Sequence, residues 1–173
     1  MKTNSKNNQK HSLVLKNIQL IVYDFDGVMT DNKVIVREDG LESVVVNRSD
    51  GLAIEMIKSK GIKQIILSKE KNRVVEMRAK KLGISVIKGI NNKKETLISY
   101  CKEENIQLNG VVYIGNDIND LEAMKMVGYP ICPLDAYEEV REISKIILDV
   151  PGGNGVVRDF LKYIKIDCNQ GDT

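Results

Sequence analysis

Two clusters of acidic residues each stand directly after a short apolar run of the chain. The first, Asp24 and Asp26, follows the apolar residues 18–23, and the second, within residues 116–120, follows the apolar residues 111–114. Side chains two residues apart in a strand point to the same side, so Asp24 and Asp26 repel unless a cation or a shared proton lies between them. For such a pair alone, a turn cap beside a solvated carboxylate is the ordinary alternative. Two clusters at one sheet edge favour a divalent cation, and Mg²⁺ takes a few carboxylates together with water and phosphate oxygens.

A hydroxyl and an ammonium group follow two further apolar runs. Ser68 comes directly after residues 64–67, and Lys93 stands shortly after residues 85–87. Each residue alone is typical of a helix cap or of a solvated surface lysine. Together at one edge they would offer a phosphate dianion a hydrogen bond and a positive charge. The sequence therefore favours a site for a phosphate and a metal ion.

Short apolar segments alternate with amphipathic segments along most of the chain. The predicted strands are residues 18–23, 64–67, 85–87, 111–114, 129–132 and 145–148. The predicted helices are residues 51–60, 72–82, 93–104, 120–127, 136–143 and 155–164. Such alternation predicts an α/β fold, a Rossmann-like doubly wound parallel sheet with helices on both faces. Ligands of these sheets bind beyond the carboxyl ends of the strands, where the polar clusters stand.

A β-hairpin flap is predicted at residues 34–46, where Asp39 and Gly40 separate two valine-rich runs. The runs are apolar at successive positions, so both faces favour burial, either on the chain's own core or in an oligomer. We expect one domain over residues 17–166, with a flexible leader at residues 1–16 and a flexible tail at residues 167–173.

Composition excludes several classes of protein. Of 173 residues, 42% are hydrophobic and 29% are charged, and the net charge is +2. These values are typical of a globular protein and give no support to a nucleic-acid partner. No apolar run approaches the roughly 20 residues of a membrane span, and residues 1–10 lack the apolar core of an export signal. We therefore expect a cytoplasmic protein with no membrane partner.

The scarcity of histidine limits the chemistry. The only histidine is His11, in the polar leader. Ser-His-Asp and Cys-His mechanisms need a histidine base in the folded body and are excluded. Cys101, Cys132 and Cys168 have neither paired nor metal-binding spacing. Catalysis would rest on carboxylates, lysines, hydroxyls or a metal ion.

Taken in order, the polar positions resemble the four motifs of the haloacid dehalogenase-like phosphatases. The similar positions, over about residues 18–164, are Asp24-x-Asp26-Gly27, then Ser68, then Lys93, then Gly115-Asn116-Asp117-x-x-Asp120. A signalling receiver domain also combines Asp, Ser or Thr, and Lys. Its acidic pair and its phosphorylated Asp, however, lie on different strands, whereas Asp24 and Asp26 share one.

The resemblance implies catalysis through an aspartyl-phosphate. Asp24 would be the nucleophile that attacks phosphorus. Asp26 would protonate the leaving oxygen and then activate the water that hydrolyses the intermediate. Ser68 and Lys93 would bind the phosphate, since its negative charge otherwise repels the attacking carboxylate.

The resemblance also implies Mg²⁺ as the cofactor. Its ligands would be the Asp24 carboxylate, the main-chain carbonyl of Asp26, and Asn116, with Asp117 binding directly or through water. Most relatives have Asp where this chain has Asn116, and a neutral amide binds Mg²⁺ more weakly. Asp120 would orient Lys93 or a metal-bound water; a simple cap of the next helix is the alternative.

The family members differ in their cap domains, and this chain has no room for one. The hairpin and one helix fill the interval between Asp26 and Ser68, and one helix and one strand fill that between Ser68 and Lys93. The resemblance is therefore to the uncapped members, in which a hairpin of this kind mediates a tetramer. It implies a homotetramer with the valine-rich hairpin buried between subunits.

Among uncapped members, the chain is similar to phosphatases of eight- and nine-carbon sugar acids. The implied substrate-binding residues are Asn47, Arg48, Ser49, Asp50, Gly51, Glu70, Arg78 and Lys81. In that group the arginine corresponding to Arg78 reaches into a neighbour's site, and a glycine-rich segment like residues 151–155, followed by Arg158, folds over the site. A solvated helix face is the alternative for Arg78 and Lys81.

Glu70 distinguishes between the two substrates. It matches a glutamate of the sialate-type enzymes, whereas the octulosonate enzymes have Gly-Arg after the second motif. A carboxylate would repel the sugar-acid carboxylate and accept hydrogen bonds from hydroxyl or amide groups. We therefore expect a nonulosonate 9-phosphate, of sialate or its deaminated analogue KDN, as the substrate. The alternatives are 3-deoxy-D-manno-octulosonate 8-phosphate, a broad range of sugar phosphates or nucleotides, and a non-catalytic oligomerisation domain associated with acylneuraminate cytidylyltransferase.

Overall fold

The structure, a computed structural model, describes residues 13–14 and 17–165. The strands are β1 (Leu13–Val14), β2 (Leu20–Tyr23), β3 (Ile35–Val36), β4 (Glu42–Ser43), β5 (Lys63–Leu67), β6 (Ser85–Ile87), β7 (Val111–Ile114), β8 (Tyr129–Cys132), β9 (Ile146–Ile147) and β10 (Ile164–Lys165). The helices are α1 (Arg48–Lys58), α2 (Arg73–Leu82), α3 (Lys93–Glu103), α4 (Leu121–Met124), α5 (Glu138–Ile143) and α6 (Val156–Phe160).

Strands β6-β5-β2-β7-β8-β9, in that order, form a parallel sheet. The chain runs outward from β2 to β6, returns to the centre at β7, and runs outward again to β9. The order therefore reverses between β2 and β7, which is the switch point where doubly wound sheets bind their ligands. The predicted Rossmann-like α/β fold is confirmed.

The side chains of β2 alternate between two core layers. Ile21 and Tyr23 pack with residues of α1, α2 and α6, whereas Leu20 and Val22 pack with residues of α3, α4 and α5. All residues of β2 and β7 are buried, as expected for central strands covered by helices on both faces. This packed centre holds the residues that follow β2 and β7.

The predicted hairpin is present but shorter than expected. Strands β3 and β4 pair antiparallel, Ile35 with Ser43 and Val36 with Glu42, and the second valine run follows β4 instead of forming it. Val44 and Val46 pack against the core of the chain itself. Ile35 and Val36 are 61% and 65% exposed. The chain's own core thus covers one half of the apolar hairpin and leaves the other half exposed.

The short elements near the ends differ most from the prediction. The predicted helix 120–127 is a 3-10 turn followed by α4, and the predicted helix 155–164 divides into α6, a 3-10 turn and β10. Strand β10 pairs parallel with β1, which lies in the predicted leader. A two-residue strand has no alternation that the sequence could reveal. Residues 1–12, 15–16 and 166–173, including His11 and Cys168, lie outside the described part of the chain.

The two intervals in which a cap domain would be inserted contain none. Between β2 and Ser68 lie the hairpin, α1 and β5, and between Ser68 and Lys93 lie α2 and β6. Among the described residues, no helix is long and apolar enough to cross a membrane.

Candidate active site

The carboxyl edge of the sheet carries predicted catalytic and metal-binding residues. Asp24 follows β2, Ser68 follows β5, Asn116 follows β7, and Lys93 begins α3 after β6. All four are buried. Because the ends of parallel strands meet at one edge, four segments distant in sequence contribute to one site.

Lys93 lies between two carboxylates. Its Nζ is 2.7 Å from Asp24 Oδ1 and 2.7 Å from Asp120 Oδ1. The side chains of all three are at most 7% exposed. Asp120 also accepts hydrogen bonds from the Tyr113 hydroxyl at 2.9 Å and from the main-chain N–H of Asn116 at 3.0 Å. The lysine ammonium is therefore fixed from two sides beside the predicted nucleophile.

Burial and mutual repulsion change the proton affinities of this group. Burial, with the Asp120 charge adding to it, raises the pKa of Asp24 from 3.8 to about 8, against the opposing effect of Lys93. Burial lowers the pKa of Lys93, but the carboxylates of Asp24 and Asp120 outweigh it, so the pKa of Lys93 is raised overall. Lys93 is thus charged, but its single positive charge does not compensate both carboxylates, so the Asp24 carboxylate is incompletely neutralised by the chain alone.

Asp26 stands in the turn after β2. Its Oδ1 accepts a hydrogen bond from the Thr30 hydroxyl at 3.3 Å. Burial raises the pKa of Asp26; the Thr30 hydrogen bond opposes this shift, and the negative charge of Glu70 adds to it. A raised pKa favours the protonated form that a general acid needs.

The side-chain amide of Asn116 points at two oxygen atoms. The amide atom that faces them lies 2.9 Å from the main-chain oxygen of Asp26 and 3.3 Å from Asp24 Oδ2. With nitrogen there, the amide donates to both. With oxygen there, both separations are close to the roughly 3 Å between neighbouring ligands of an octahedral Mg²⁺ with bonds of about 2.1 Å. The arrangement therefore fits the predicted metal ion.

This donor set is unusual in containing one carboxylate, one carbonyl and one amide. No group of three His, Cys, Asp or Glu side chains in the described ranges could hold a metal, so the arrangement depends on a main-chain carbonyl and an amide beside the carboxylate. Oxygen ligands of mixed type are nevertheless what Mg²⁺ accepts.

Asp117 and Asp120 shape the loop that carries Asn116. Asp117 Oδ1 accepts the N–H of Ile118 at 2.6 Å and caps the 3-10 turn Ile118–Asp120. Asp120 Oδ2 accepts the N–H groups of Asn116 and Asp117. The Asp117 carboxylate is therefore used as a cap, and its predicted metal contact stays a prediction. Asp120 caps the loop and also binds Lys93, which combines the two alternatives considered for it.

Ser68 is fixed by the main chain around it. Its N–H donates to the carbonyl of Ile87 at 3.0 Å, and its Oγ accepts the N–H of Glu70 at 3.1 Å. A hydroxyl that accepts in this way keeps its own proton to donate. The predicted hydrogen bond to a phosphate oxygen remains available.

The predicted substrate loop opens α1. Asn47 caps the helix, its Oδ1 accepting from the N–H and hydroxyl of Ser49 at 3.0 and 2.8 Å. Asp50 is 1% exposed and accepts the N–H of Arg158 at 3.1 Å. Arg48 is exposed, and Ser49 and Gly51 are half-buried. Asp50 thus contacts α6, and its substrate contact stays a prediction.

Arg78 and Lys81 lie on α2 and line a cavity of about 540 Å³ whose floor includes Val44 and Val46. The Arg78 guanidinium donates to the carbonyl of Asn47 at 2.8 Å, and Lys81 is exposed. Within one chain, the two basic residues therefore lie beside the hairpin, and Arg78 hydrogen-bonds to the predicted substrate loop.

Glu70 lies in a second cavity, of about 710 Å³, between the hairpin and the loop after β5. Its side chain is exposed, and its carbonyl accepts the N–H of Gly89 at 2.9 Å. Glu42 and Arg73 line the same cavity. The negative charge of Glu70 contributes to the raised pKa of Asp26, so the two carboxyl groups interact electrostatically.

Sequence reasoning missed the residues that support this site. Thr30, fully buried, binds the Asp26 carboxylate, and its place four residues after Asp26 in a glycine turn is a signal that could have been used. Tyr113, which binds Asp120, lies within an apolar strand and gives no such signal.

Comparisons with known proteins agree with this geometry. The family model for haloacid dehalogenase-like hydrolases matches residues 7–160. The 3-deoxy-D-manno-octulosonate 8-phosphate phosphatase of Escherichia coli K12 is 29% identical over 145 residues, 83% of this chain and 77% of the relative. Both the match and the motif order concern the same part of the chain.

Two solved structures are similar in fold and sequence. A protein from Streptomyces avermitilis described as a HAD family hydrolase is 39% identical with a TM-score of 0.87, covering 90% of this chain and 89% of that one. The octulosonate 8-phosphate phosphatase of Moraxella catarrhalis, in complex with a magnesium ion, a phosphate ion and KDO, is 34% identical with a TM-score of 0.80, covering 83% of each chain.

The chain belongs to the haloacid dehalogenase-like hydrolases. Within them it is a phosphoric monoester hydrolase of the sugar-acid phosphatase group that uses a divalent metal ion. The enzymatic activity predicted from the motifs is confirmed, and a purely non-catalytic domain is not supported.

Proposed function

We propose that this enzyme is a Mg²⁺-dependent phosphatase of a 2-keto-3-deoxy sugar acid phosphate and that it works through a phosphorylated Asp24. The observation that carries the proposal is Lys93 between Asp24 and Asp120 at 2.7 Å from each, at the switch point of the sheet. A buried nucleophilic carboxylate with a fixed cation beside it is suited to attack on phosphorus.

The chain's own residues divide the work. A carboxylate oxygen of Asp24 attacks the phosphorus, and the carboxylate is held in place at Oδ1 by Lys93 and by the N–H of Phe25 at 2.8 Å. Lys93 and Ser68 neutralise and orient the phosphate oxygens. Asp26, whose pKa burial raises, gives a proton to the leaving sugar oxygen, and its carboxylate then takes a proton from the water that hydrolyses the intermediate.

The Asp24 carboxylate, the Asp26 carbonyl and Asn116 would hold Mg²⁺. When bound, the ion supplies positive charge against the phosphate dianion and the nucleophile. Because burial raises the pKa of Asp24, the chain without the ion favours the protonated, non-nucleophilic form of this residue.

Two substrates of this class are candidates, each favoured by one observation. Glu70 in the cavity between the hairpin and the loop after β5 favours a nonulosonate 9-phosphate, whose hydroxyl and amide groups donate to a carboxylate. The 29% identity to an octulosonate 8-phosphate phosphatase favours the 8-phosphate. The two differ in what meets Glu70, so specificity is the property that separates them.

Phosphate release tests the proposal directly. We would assay N-acetylneuraminate 9-phosphate, KDN 9-phosphate and octulosonate 8-phosphate with and without Mg²⁺, using Asp24→Asn as the control variant. We expect metal-dependent turnover of at least one substrate and none by Asp24→Asn. Folded protein that releases no phosphate from any of the three would refute the proposal.

We further propose that four chains assemble through the hairpin. Val34, Ile35, Val36 and Val45 are 50–67% exposed, and a contiguous apolar patch of this kind marks an interaction surface. An uncapped site also needs a cover that excludes water, which a neighbouring chain would provide. Sedimentation should give a tetramer for the native chain and smaller species for Ile35→Ser/Val36→Ser; a native monomer at micromolar concentration would refute this assembly.

A further inference from the structure

The glycine-rich segment at residues 151–155 lies directly on the turn after β2. A Cβ at Gly152 would stand 2.3 Å from the main-chain oxygen of Gly27 and 3.0 Å from that of Thr30. The N–H of Gly153 donates to the carbonyl of Val28 at 3.0 Å. Backbone packs on backbone here, so even a methyl group would force the turn to move.

That turn carries the proposed general acid. The N–H of Gly27 donates to Thr30 Oγ1 at 3.3 Å, and Thr30 Oγ1 donates to Asp26 Oδ1 at 3.3 Å. Both contacts are at the long end of the hydrogen-bond range, so they do not hold the carboxylate tightly by themselves. The position of the Asp26 carboxylate therefore depends on the segment that packs against the turn.

Two carboxylates hold the glycine segment in place. Asp135 Oδ1 accepts the N–H of Gly152 at 2.8 Å. Asp50 accepts the N–H of Arg158 at 3.1 Å and that of Val157. The segment is therefore tied at one end to the loop after β8 and just beyond its other end to α1, 108 residues away in sequence.

Asp50 occupies a site that is costly for a carboxylate. It is 1% exposed, and its Oδ2 has no hydrogen-bond partner among the residues that the structure describes. A buried carboxylate oxygen without a hydrogen-bond partner destabilises a fold. Gly155, which would meet the Ser49 hydroxyl at 2.9 Å if it had a Cβ, closes the same contact. The geometry ties the predicted substrate loop to the glycine segment.

We propose that Asp50 and Asp135 are positioning residues: by holding the glycine segment against the turn, they hold the Asp26 carboxylate in line with the leaving oxygen. Asp50 then acts through the main chain of α6 and does not touch substrate. This inference rests on the proposed role of Asp26 as general acid.

The leaving group provides a test that a substrate-binding role would not pass. Phenyl phosphate and p-nitrophenyl phosphate have no sugar, and only the former has a poor leaving group that needs a proton. In Asp50→Ala we expect the kcat/KM ratio of p-nitrophenyl to phenyl phosphate to rise at least tenfold over the native ratio, because general acids contribute roughly 10²–10⁴-fold. The conservative Asp50→Asn keeps an oxygen for both N–H groups and should restore most of the native ratio.

Gly152→Ala is the independent variant, since it displaces the turn without removing a charge. It should raise the same ratio, as should Asp135→Ala. Gly61→Ala strains the backbone at its own φ of 75°, but its Cβ would meet nothing within 4 Å, so this variant should leave the ratio unchanged and controls for strain at a distant glycine. An unchanged ratio in both Asp50→Ala and Gly152→Ala, with folding shown by thermal unfolding, would overturn the proposal. The proposal would also be overturned if Asp50→Ala lowered kcat/KM for octulosonate 8-phosphate alone, because Asp50 would then be a sugar ligand.

Hydrogen exchange separates failure of this inference from failure of the proposed function. If the native enzyme hydrolyses neither the aryl phosphates nor any of the three sugar-acid phosphates, the proposed function fails, but the tie still predicts faster exchange at residues 27–30 and 152–158 in Asp50→Ala. Native protection at both segments in that variant would refute the tie whatever the activity.

Discussion

Lys93→Met removes the cation that separates Asp24 from Asp120 while keeping an unbranched side chain of similar length. Both carboxylates are within 2.7 Å of Nζ, and Lys93 is 1% exposed, so neither solvent nor salt screens the loss. Removing one partner of a buried ion pair costs about 3–5 kcal/mol of unfolding free energy. For a chain of this size we expect the melting temperature to fall by roughly 6–20 °C.

The measurement is thermal and urea unfolding at pH 8 in metal-free buffer. Lys94→Met is the matched control, because Lys94 is the neighbouring lysine, is 40% exposed and lies 3.6 Å from Glu122. This variant should lose less than about 1 kcal/mol of unfolding free energy. Lys93→Met/Asp120→Asn should be more stable than Lys93→Met alone, since it removes one of the two repelling charges. A Lys93→Met variant within about 1 kcal/mol of the native chain, or a double variant no more stable than the single one, would refute this electrostatic account.

Three further predictions concern the metal and the substrate. Because the Asp24 pKa is raised to about 8, the folded metal-free chain binds more protons than the unfolded chain between pH 4 and 8, and its unfolding free energy should fall with rising pH there by on the order of 1 kcal/mol per pH unit. Mg²⁺ should therefore raise the melting temperature more at pH 8 than at pH 5. Equal increases in melting temperature at the two pH values would contradict this reasoning. Asn116→Asp should lower the Mg²⁺ concentration for half-maximal phosphate release by roughly tenfold; an unchanged requirement would remove Asn116 from the metal site. Glu70→Arg should raise the kcat/KM ratio of octulosonate 8-phosphate to N-acetylneuraminate 9-phosphate by roughly tenfold or more, whereas Glu103→Arg, at the far end of α3, should not; no change in the former would end the case for Glu70.

The sheet and its edge could be predicted from sequence because they follow from local patterns. Strands β2 and β7 are continuous apolar runs that end in polar residues, and the rule for parallel sheets places those ends together. Lys93 was predicted as a phosphate ligand on the same ground. Its contact with Asp24 Oδ1 could not be derived, because a 2.7 Å contact depends on how α3 packs.

The supporting contacts lay beyond sequence reasoning for a physical reason. Asp50 follows Asn47 in a loop that resembles a substrate site, yet its carboxylate accepts from α6, 108 residues later. Such a hydrogen bond leaves no periodicity and no spacing. Similarly, α4 and β10 are too short for a hydrophobic pattern to define them, and tertiary contacts decide where they begin and end.

The neutral side chain at position 116 shifts the balance between the enzyme's two ligands. When ionised, Asp24, Asp120 and Lys93 together carry one negative charge, so a bound dication would leave this cluster of side chains with one positive charge. An aspartate at position 116 would leave it neutral. The amide thus lowers the affinity for the metal ion and raises the affinity for a dianion. Both the phosphate ester and the inorganic phosphate product are dianions, so both bind more tightly. Such a pocket should bind its substrate at low concentration and should be slowed by its own product as phosphate accumulates.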